Sequence, residues 1–365
     1  MKIGILTYHR AHNYGAMLQA YALRTYLQQR DHEVDFVDYW PSEHAKEYKW
    51  FKPIKGHSII RRMVYFFSLL LTSYRRLMRI KRFESFRQEV LLLPANARYT
   101  SYGAPIEEKY DYVIVGSDQI WRNHHTTLEY IGFDSVYFCQ TMRNAAHYAS
   151  YAASMGVIDM SNEEEDKLKN YLSDFSAISV RESSLQAKLA DMGFDSTLVC
   201  DPTLLLNKDE WNTLLPAERF RKQPYVLYYE MTLCQEAKRY AQSVADKMIC
   251  DLIVIPATLH TLWKKNELSD IGPEEFIHAI RDAEFVVSTS FHGTAFSVIF
   301  EKQFISMGAK TNSDRIETLL KSIGIAGHYT NKGPEKLNPV IYSQIRDNIT
   351  AYINQSKAFI NRLEQ

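Results

Sequence analysis

The chain has 365 residues, with 43 Lys and Arg against 43 Asp and Glu, so its formal net charge is zero. At about 100–200 residues per domain, this length predicts two domains. A content of 46% hydrophobic and 24% charged residues excludes a mostly disordered chain. The balanced charge also argues against a nucleic-acid partner, because such proteins need a surplus of Lys and Arg to displace the counterions of phosphates.

The spacing of the cysteines and the N-terminal residues indicate the cellular compartment of the protein. The four cysteines are spread through the chain without a CxxC pair, which predicts buried thiols rather than disulfides or a metal site. The apolar run over residues 3–6 is shorter than the 7–15 residues of a signal peptide. The sequence therefore predicts a cytoplasmic protein.

Short apolar runs alternate with amphipathic stretches, which is typical of βα units around a parallel sheet. In the first half this pattern predicts strands over 2–7, 34–38, 112–116, 146–149 and 177–180, with helices over 16–29, 163–175 and 183–192. In the second half it predicts strands over 225–229, 252–255, 285–288 and 303–306, with helices over 235–247, 273–282 and 293–300.

The composition changes over residues 201–223, where two prolines and several charges precede a clear new strand. This change predicts a domain boundary, with an N-terminal domain over 1–205 and a C-terminal domain over 222–338. A final amphipathic segment, 339–365, is long enough to form a helix that packs back on the N-terminal domain.

A basic insertion over about residues 55–82 departs from the βα rhythm. Between Lys55 and Arg82 there are eight basic residues and no acidic ones, around an apolar core over 63–71. Nine residues are too few to span a bilayer, which needs about 20. Two interpretations stay open: a peripheral membrane contact through 61–82 at the inner membrane face, and a helix packed on the protein with a solvated basic face.

Parallel sheets bind ligands at the carboxyl ends of their strands, and two predicted turns in the first half lie there. In TYHRAHNYG (7–15), Asn13 and Gly15 suit a tight turn before a helix whose free N–H groups favour an anion. A plain βα turn explains the same residues. In GSDQIW (116–121), Asp118 could bind a hydroxyl or orient a base, although Ser117 or Asp118 could equally cap a helix.

Two further turns carry a cation and an imidazole. Arg181, in ISVRES, stands at a strand end where its guanidinium could hold a carboxylate or phosphate, or pair with Glu182. His292 follows a buried strand, in STSFHGT, and can exchange protons near neutral pH. GxSxG, Walker A and HExxH sequences are absent, which gives no indication of a hydrolase elbow, a P-loop or a zinc protease.

Taken in order, the segments resemble the polysaccharide pyruvyl transferase family. The matching pieces are NYGAMLQAYAL, VIVGSDQIW, YAASMG, ISVRESS, CDPTLLL and STSFHGTAFSVIF. The resemblance implies an α/β fold of two Rossmann-like domains facing a cleft, as in GT-B glycosyltransferases, with the donor held by the C-terminal domain. It implies transfer of a pyruvyl group from phosphoenolpyruvate to the hydroxyls of a sugar, forming a ketal, without a cofactor or metal. The acceptor would be a surface polysaccharide or its precursor, which could be lipid-linked.

The resemblance also implies roles for individual residues. His292 and Asp118 would be catalytic, and the segments 7–15 and 116–121 would supply Asn13, Gly15 and Ser117 to the acceptor site or a cleft loop. The donor would be bound by Arg181, Ser290, Phe291, Gly293, Thr294 and Arg315.

One departure from the family pattern concerns the donor site. Some members carry Arg-Leu-His where this chain has Ser290-Phe291-His292. The donor must then rely on Arg181, the helix after His292, or another cation such as Lys310 or Arg315. Two alternatives stay open: a glycosyltransferase that uses a nucleotide-sugar, and a non-catalytic glycan-binding protein.

Overall fold

The computed structural model describes residues 1–48, 58–125, 132–257, 265–308, 313–334 and 336–364. The first half contains β1 (Lys2–Leu6), α1 (Tyr14–Gln28), β2 (Glu33–Phe36), α2 (Ser42–Glu47), α3 (Ile59–Ser85), β3 (Tyr110–Val115), β4 (Ala145–Ser150), α4 (Asn162–Leu172), β5 (Ser179–Val180), α5 (Ser183–Asp191), β6 (Thr197–Leu198) and α6 (Lys208–Asn212). The second half contains β7 (Tyr225–Tyr229), α7 (Gln235–Met248), β8 (Asp251–Ile255), α8 (Pro273–Asp282), β9 (Phe285–Ser288), α9 (Phe291–Ile299), β10 (Gln303–Met307), α10 (Asp314–Ser322), β11 (Tyr329–Thr330) and α11 (Tyr342–Leu363).

Both halves are built on parallel sheets. The first sheet has the strand order β2-β1-β3-β4, with β5 and β6 as a parallel pair beside β4. The second sheet has the order β11-β10-β9-β7-β8, and all its pairings are parallel. The central strands are almost wholly buried, as expected where helices flank a parallel sheet. The predicted α/β class with parallel sheets flanked by helices is confirmed.

The two halves are in direct contact through helix α1. The ring of Tyr14, in its first turn, stacks on Phe276 of α8 with a centroid distance of 4.5 Å. The Tyr14 hydroxyl donates to the carbonyl oxygen of Ile271 at 3.2 Å. These contacts bring the turn after β1 close to the second sheet.

Helix α11 returns to the first half of the chain. The backbone N–H of Cys200 donates to Oγ of Ser356 at 2.7 Å, and the Tyr352 hydroxyl donates to the carbonyl oxygen of Val199 at 3.2 Å. At its end, Glu364 pairs with Arg30. The helix thereby contacts the segment just after β6 and the end of α1.

The helix boundaries differ from the predicted ones at two functionally relevant places. Helices α1 and α9 begin at Tyr14 and Phe291, two residues earlier than predicted. The residues before them are extended and act as N-caps, so each helix starts where the strand-end turn finishes. Gly15 and His292 consequently lie in the first turns of helices rather than in the turns before them.

Other differences concern short elements and the insertion. Strands β6 and β11 have two residues each, too few for a periodic pattern, and α10 was not predicted. Residues 55–57 of the insertion lie outside the described residues, and α3 follows with 27 residues. Within the described ranges, no helix combines the length and apolar composition needed to cross a membrane.

Candidate active site

Six ionisable side chains meet where the carboxyl ends of strands from the two sheets approach each other. They come from the segments that follow β3, β5, β6, β9 and β10, because these segments carry the chain into the next helix at that edge of a sheet. We call them the charge cluster: Asp118, Arg181, Glu182, Asp201, His292 and Arg315. The sequence analysis selects four of them as site residues and leaves out Asp201 and Glu182.

Arg181 lies at the centre of the charge cluster and is 1% exposed. Its Nη1 donates to Oδ2 of Asp201, and its Nη2 lies 3.8 Å from Oδ1 of Asp118. The guanidinium also stands over the ring of Phe291, 4.8 Å from the centroid. Burial by itself lowers the pKa of Arg181, but the neighbouring carboxylates outweigh it and the pKa is raised. Nε and Nη2 have no hydrogen-bond partner among the described residues, so a fixed cation keeps donors for an anion.

Asp201 connects Arg181 with His292. Its Oδ2 accepts from Arg181 and lies 3.8 Å from Nε2 of His292, while its Oδ1 accepts from the backbone N–H and the hydroxyl of Thr203. Burial by itself raises the pKa of this carboxyl, but the nearby charges of Arg181 and, to a smaller extent, His292 outweigh burial, so the pKa is lowered. In the sequence, Asp201 marks the composition change and caps the short 3₁₀ turn Pro202–Leu205. An Asp-Pro pair after a strand is the pattern that could have drawn attention to it.

His292 occupies the first turn of α9 and is 7% exposed. Burial lowers its pKa to about 4, although the nearby Asp201 carboxylate acts in the opposite direction. Its Nε2 has no hydrogen-bond partner among the described residues. Burial therefore keeps the imidazole neutral, so that it can accept a proton, and the Asp201 carboxylate 3.8 Å away favours the protonated form.

Gly15 is required for the approach between the two halves at this point. A Cβ atom on Gly15 would lie 1.9 Å from Nδ1 of His292, so any larger residue would displace the ring. Asn13, two residues earlier, caps α1 by accepting from the backbone N–H of Ala16 at 3.2 Å. The first turn of α1 thus contacts the imidazole through Gly15, while the Asn13 side chain caps the helix start.

Of the residues that flank His292, Phe291 places its ring against the Arg181 guanidinium of the charge cluster. The backbone N–H of Ser290 donates to Oγ of Ser288 at 3.0 Å, and the Thr294 hydroxyl donates to the carbonyl oxygen of Ser290 at 2.9 Å. A Cβ on Gly293 would lie 2.1 Å from Oγ of Ser288. Ser290, Gly293 and Thr294 therefore shape the turn and pack α9 against β9.

Ser117 and Asp118 have different environments although they are adjacent. Ser117 is fully buried; its N–H donates to Oε1 of Gln19 at 3.1 Å and its hydroxyl to the carbonyl oxygen of Ala152 at 2.9 Å. The Asp118 side chain is 17% exposed, its φ is +76°, and its Oδ1 accepts from the N–H of Gln119 at 2.8 Å. Ser117 is thus held by protein groups, and its hydroxyl also lies 3.4 Å from Oδ2 of Asp201, whereas the Asp118 carboxylate faces Arg181 and solvent.

Glu182 and Arg315 complete the charge cluster. Glu182 is 1% exposed, accepts from the Ser154 hydroxyl, and has its Oε1 3.9 Å from Nε of Arg315. Burial raises the pKa of Glu182, and its Oε2 has no hydrogen-bond partner among the described residues. The Arg315 side chain is 19% exposed. Lys310, the other cation considered from sequence, lies outside the described residues.

A cavity of about 440 Å³ lies at the carboxyl ends of β1 and β2. Its lining includes Arg10, His12, Trp40, Glu84 and Arg87. Nε2 of His12 lies 2.9 Å from Oε1 of Glu84, which joins the β1–α1 turn to the end of α3. The cavity is thus lined by the segment between β1 and α1, and Gly15 in the next helical turn contacts the His292 imidazole.

Together these groups provide a neutral base, a buried cation with free donors and a carboxyl with a raised pKa. Within the part of the chain that the structure describes, no three His, Cys, Asp or Glu side chains are grouped to hold a metal ion. The arrangement therefore offers acid–base chemistry on an anionic ligand between two parallel sheets.

Fold and site together define an α/β protein with an acid–base site at the carboxyl ends of its sheets. The chain belongs to the polysaccharide pyruvyl transferase family, whose model matches residues 13–310. This match confirms the family resemblance drawn from the ordered motifs.

Several solved structures are similar in fold at low sequence identity. UDP-GlcNAc 2-epimerase from Methanocaldococcus jannaschii is 13% identical, with 100% of this chain and 99% of that chain covered and a TM-score of 0.47. UDP-GlcNAc 2-epimerase from Neisseria meningitidis is 10% identical, with 98% and 93% covered and a TM-score of 0.45. The E. coli heptosyltransferase WaaC with ADP is 12% identical, with 96% and 100% covered and a TM-score of 0.38. No curated protein matches the chain.

Proposed function

We propose that this protein transfers a pyruvyl group from phosphoenolpyruvate to hydroxyls of a sugar in a surface polysaccharide or its precursor, forming a pyruvate ketal. Membership of the polysaccharide pyruvyl transferase family supports the reaction class. The observation that carries the proposal is the contact of His292 and Arg181 with the same oxygen, Oδ2 of Asp201. A base and an anion-binding cation are thereby held beside the same carboxylate oxygen.

The donor carries a phosphate and a carboxylate, and the charge cluster offers cations for both. Nε and Nη2 of Arg181 have no hydrogen-bond partner among the described residues, although Nη2 faces Asp118 at 3.8 Å, and the partly exposed Arg315 lies 3.9 Å from Glu182. The N-terminus of α9 adds N–H groups with a positive dipole. Since Ser290 stands where some members carry Arg, anion binding here depends on these remaining groups.

In the proposed reaction, a proton adds to the methylene carbon of the donor, and positive charge develops at the central carbon. A sugar hydroxyl forms a C–O bond there and gives its proton to Nε2 of His292. The C–O bond to phosphate breaks, and a second hydroxyl closes the ketal. One proton ends on the new methyl group and one leaves with phosphate.

We assign the supply of the proton for the methylene carbon to Glu182, because burial raises the pKa of its carboxyl. The Asp118 carboxylate faces Nη2 of Arg181 at 3.8 Å and helps to hold the guanidinium in place. A positioned base and acid each contribute about 10²–10⁴-fold to the rate.

We assign the sugar acceptor to the cavity of about 440 Å³ beside the β1–α1 turn. Trp40 offers an apolar ring face, while Glu84 and Arg87 offer charged partners for hydroxyls. His12, in the turn before α1, lines this cavity, and Gly15 in the first turn of α1 contacts His292.

The test is to incubate the protein with phosphoenolpyruvate and a panel of glycans and to measure phosphate release and the added pyruvyl mass. We expect both products with wild type, and a loss of at least 100-fold with His292→Asn. A matched control is His328→Asn, because His328 is also buried but lies away from the charge cluster. Consumption of a nucleotide-sugar without phosphoenolpyruvate turnover across the panel would overturn the proposal.

A further inference from the structure

Helix α3 exposes an apolar stripe that runs along four of its turns. The exposed fraction of each side chain lies between 55% and 73%, although all are large and apolar or aromatic. Their spacings of three and four residues place them on one face, over a length of about 21 Å. The stripe consists of Ile60, Met63, Val64, Phe67, Leu71 and Tyr74.

The buried side of α3 carries Leu69 and Thr72, and two arginines farther along the helix bind the second half of the chain. Nη1 of Arg75 lies 3.3 Å from Oγ of Ser269. Nη1 of Arg82 donates to the carbonyl oxygen of Asp270 at 2.7 Å. These contacts fix the rotation of the helix, so the apolar stripe cannot turn inwards.

The charges around the stripe indicate what covers it. From residue 48 to residue 83 the chain has ten basic residues and no acidic one, although Arg75 and Arg82 among them contact the protein itself. Arg61 and Lys81 are exposed near the two ends of the stripe. A second copy of the chain would bring basic residues against basic residues, whereas anionic lipid head groups complement them.

We propose that α3 docks in the plane of an anionic lipid bilayer, with the apolar stripe entering the boundary between head groups and acyl chains. An amphipathic helix binds such a surface through its buried apolar area together with the attraction of its cations for anionic lipids. The docking itself does not depend on the proposed transferase reaction.

Its consequence for the substrate does rest on the proposed function. Glu84, the last residue but one of α3, lines the acceptor cavity together with Arg87 of the next turn. Docking would therefore hold this cavity near the bilayer, where an acceptor attached to a lipid is presented. Membrane binding and pyruvyl transfer can be measured separately, so failure of one is distinguishable from failure of the other.

Flotation of the full chain with vesicles tests the docking. We compare neutral phosphatidylcholine vesicles with vesicles that contain 30% phosphatidylglycerol, at low and high salt. Wild type should float at least tenfold more with the anionic vesicles at low salt, and high salt should reduce this.

Two double variants separate the stripe from general surface apolarity. Phe67→Asp/Leu71→Asp should lower flotation at least tenfold and leave the melting curve unchanged, because both residues are exposed. Leu233→Asp/Ile249→Asp, two exposed apolar residues elsewhere, should float as wild type does. Absence of flotation, equal flotation of the stripe variant, or a dimer in light scattering that only the stripe variant disrupts would overturn the proposal.

Discussion

Replacement of Asp201 by Asn is the sharpest test of the charge cluster. The substitution removes one negative charge but keeps an oxygen that can accept from Thr203, so it isolates the ion pair with Arg181. Breaking a buried pair by removing one partner costs about 3–5 kcal/mol, because the other charge is left buried. Asp118 still faces Nη2 of Arg181 at 3.8 Å, where an effective dielectric constant of about 20 gives roughly 4 kcal/mol of attraction. We therefore expect the lower value, about 3 kcal/mol of unfolding free energy.

The assay is urea unfolding followed by circular dichroism and by tryptophan fluorescence, with coincident curves as the check on two-state behaviour. Arg181→Met and the double variant complete a cycle, in which the double variant should lose about 1–3 kcal/mol less than the sum of the single losses. Asp166→Asn removes an exposed pair with Lys169 and should cost less than about 1 kcal/mol. Strict additivity of the two buried substitutions, or a cost for Asp201→Asn no greater than that of Asp166→Asn, would refute the reasoning.

Three further predictions use the same site. Burial lowers the pKa of His292 from 6.5 to about 4, so this residue stabilises the fold above pH 6.5 and loses that contribution as the pH falls towards 4. Over this window wild type should lose about 3 kcal/mol more unfolding free energy than His292→Gln. Equal losses in urea titrations would contradict the neutral imidazole. Gly15→Ala should leave the chain folded but reduce the rate of pyruvyl transfer at least 100-fold, because the new methyl group meets the His292 ring. The control Gly327→Ala, with open space at its Cβ position, should leave the rate unchanged. Unchanged transfer by Gly15→Ala would show that this contact is not part of the site. Trp40→Ala should raise KM for the glycan about tenfold without changing KM for phosphoenolpyruvate, and the reverse pattern would contradict the assigned acceptor cavity.

Much of the architecture was predictable because parallel strands leave a simple pattern. Buried strands such as β7 and β9 read as continuous apolar runs, and their observed bounds equal the predicted ones. The starts of α1 and α9 were less accurate, since the N-caps Asn13 and Ser290 allow helix formation before the periodic pattern begins.

The candidate site was predicted in part. Arg181, Asp118 and His292 could be selected because each lies in a segment that follows a strand, at the carboxyl-end edge of its own sheet. Asp201 was not selected, because its local pattern is also that of a capping residue in a composition break. Its role as the partner of both Arg181 and His292 depends on contacts between residues 20 and 91 positions apart along the chain.

The amino-acid sequence by itself determined the parallel α/β class, the family motifs and the strand-end turns that hold polar residues. These follow from short-range periodicity and local backbone preferences, which each segment carries alone. Only the tertiary structure decided that Gly15 meets His292, that Arg181 pairs with Asp201 rather than with its neighbour Glu182, and which face of α3 is exposed. Such choices depend on how the two halves pack, because packing decides which of several possible partners is brought within a few ångströms in a buried environment.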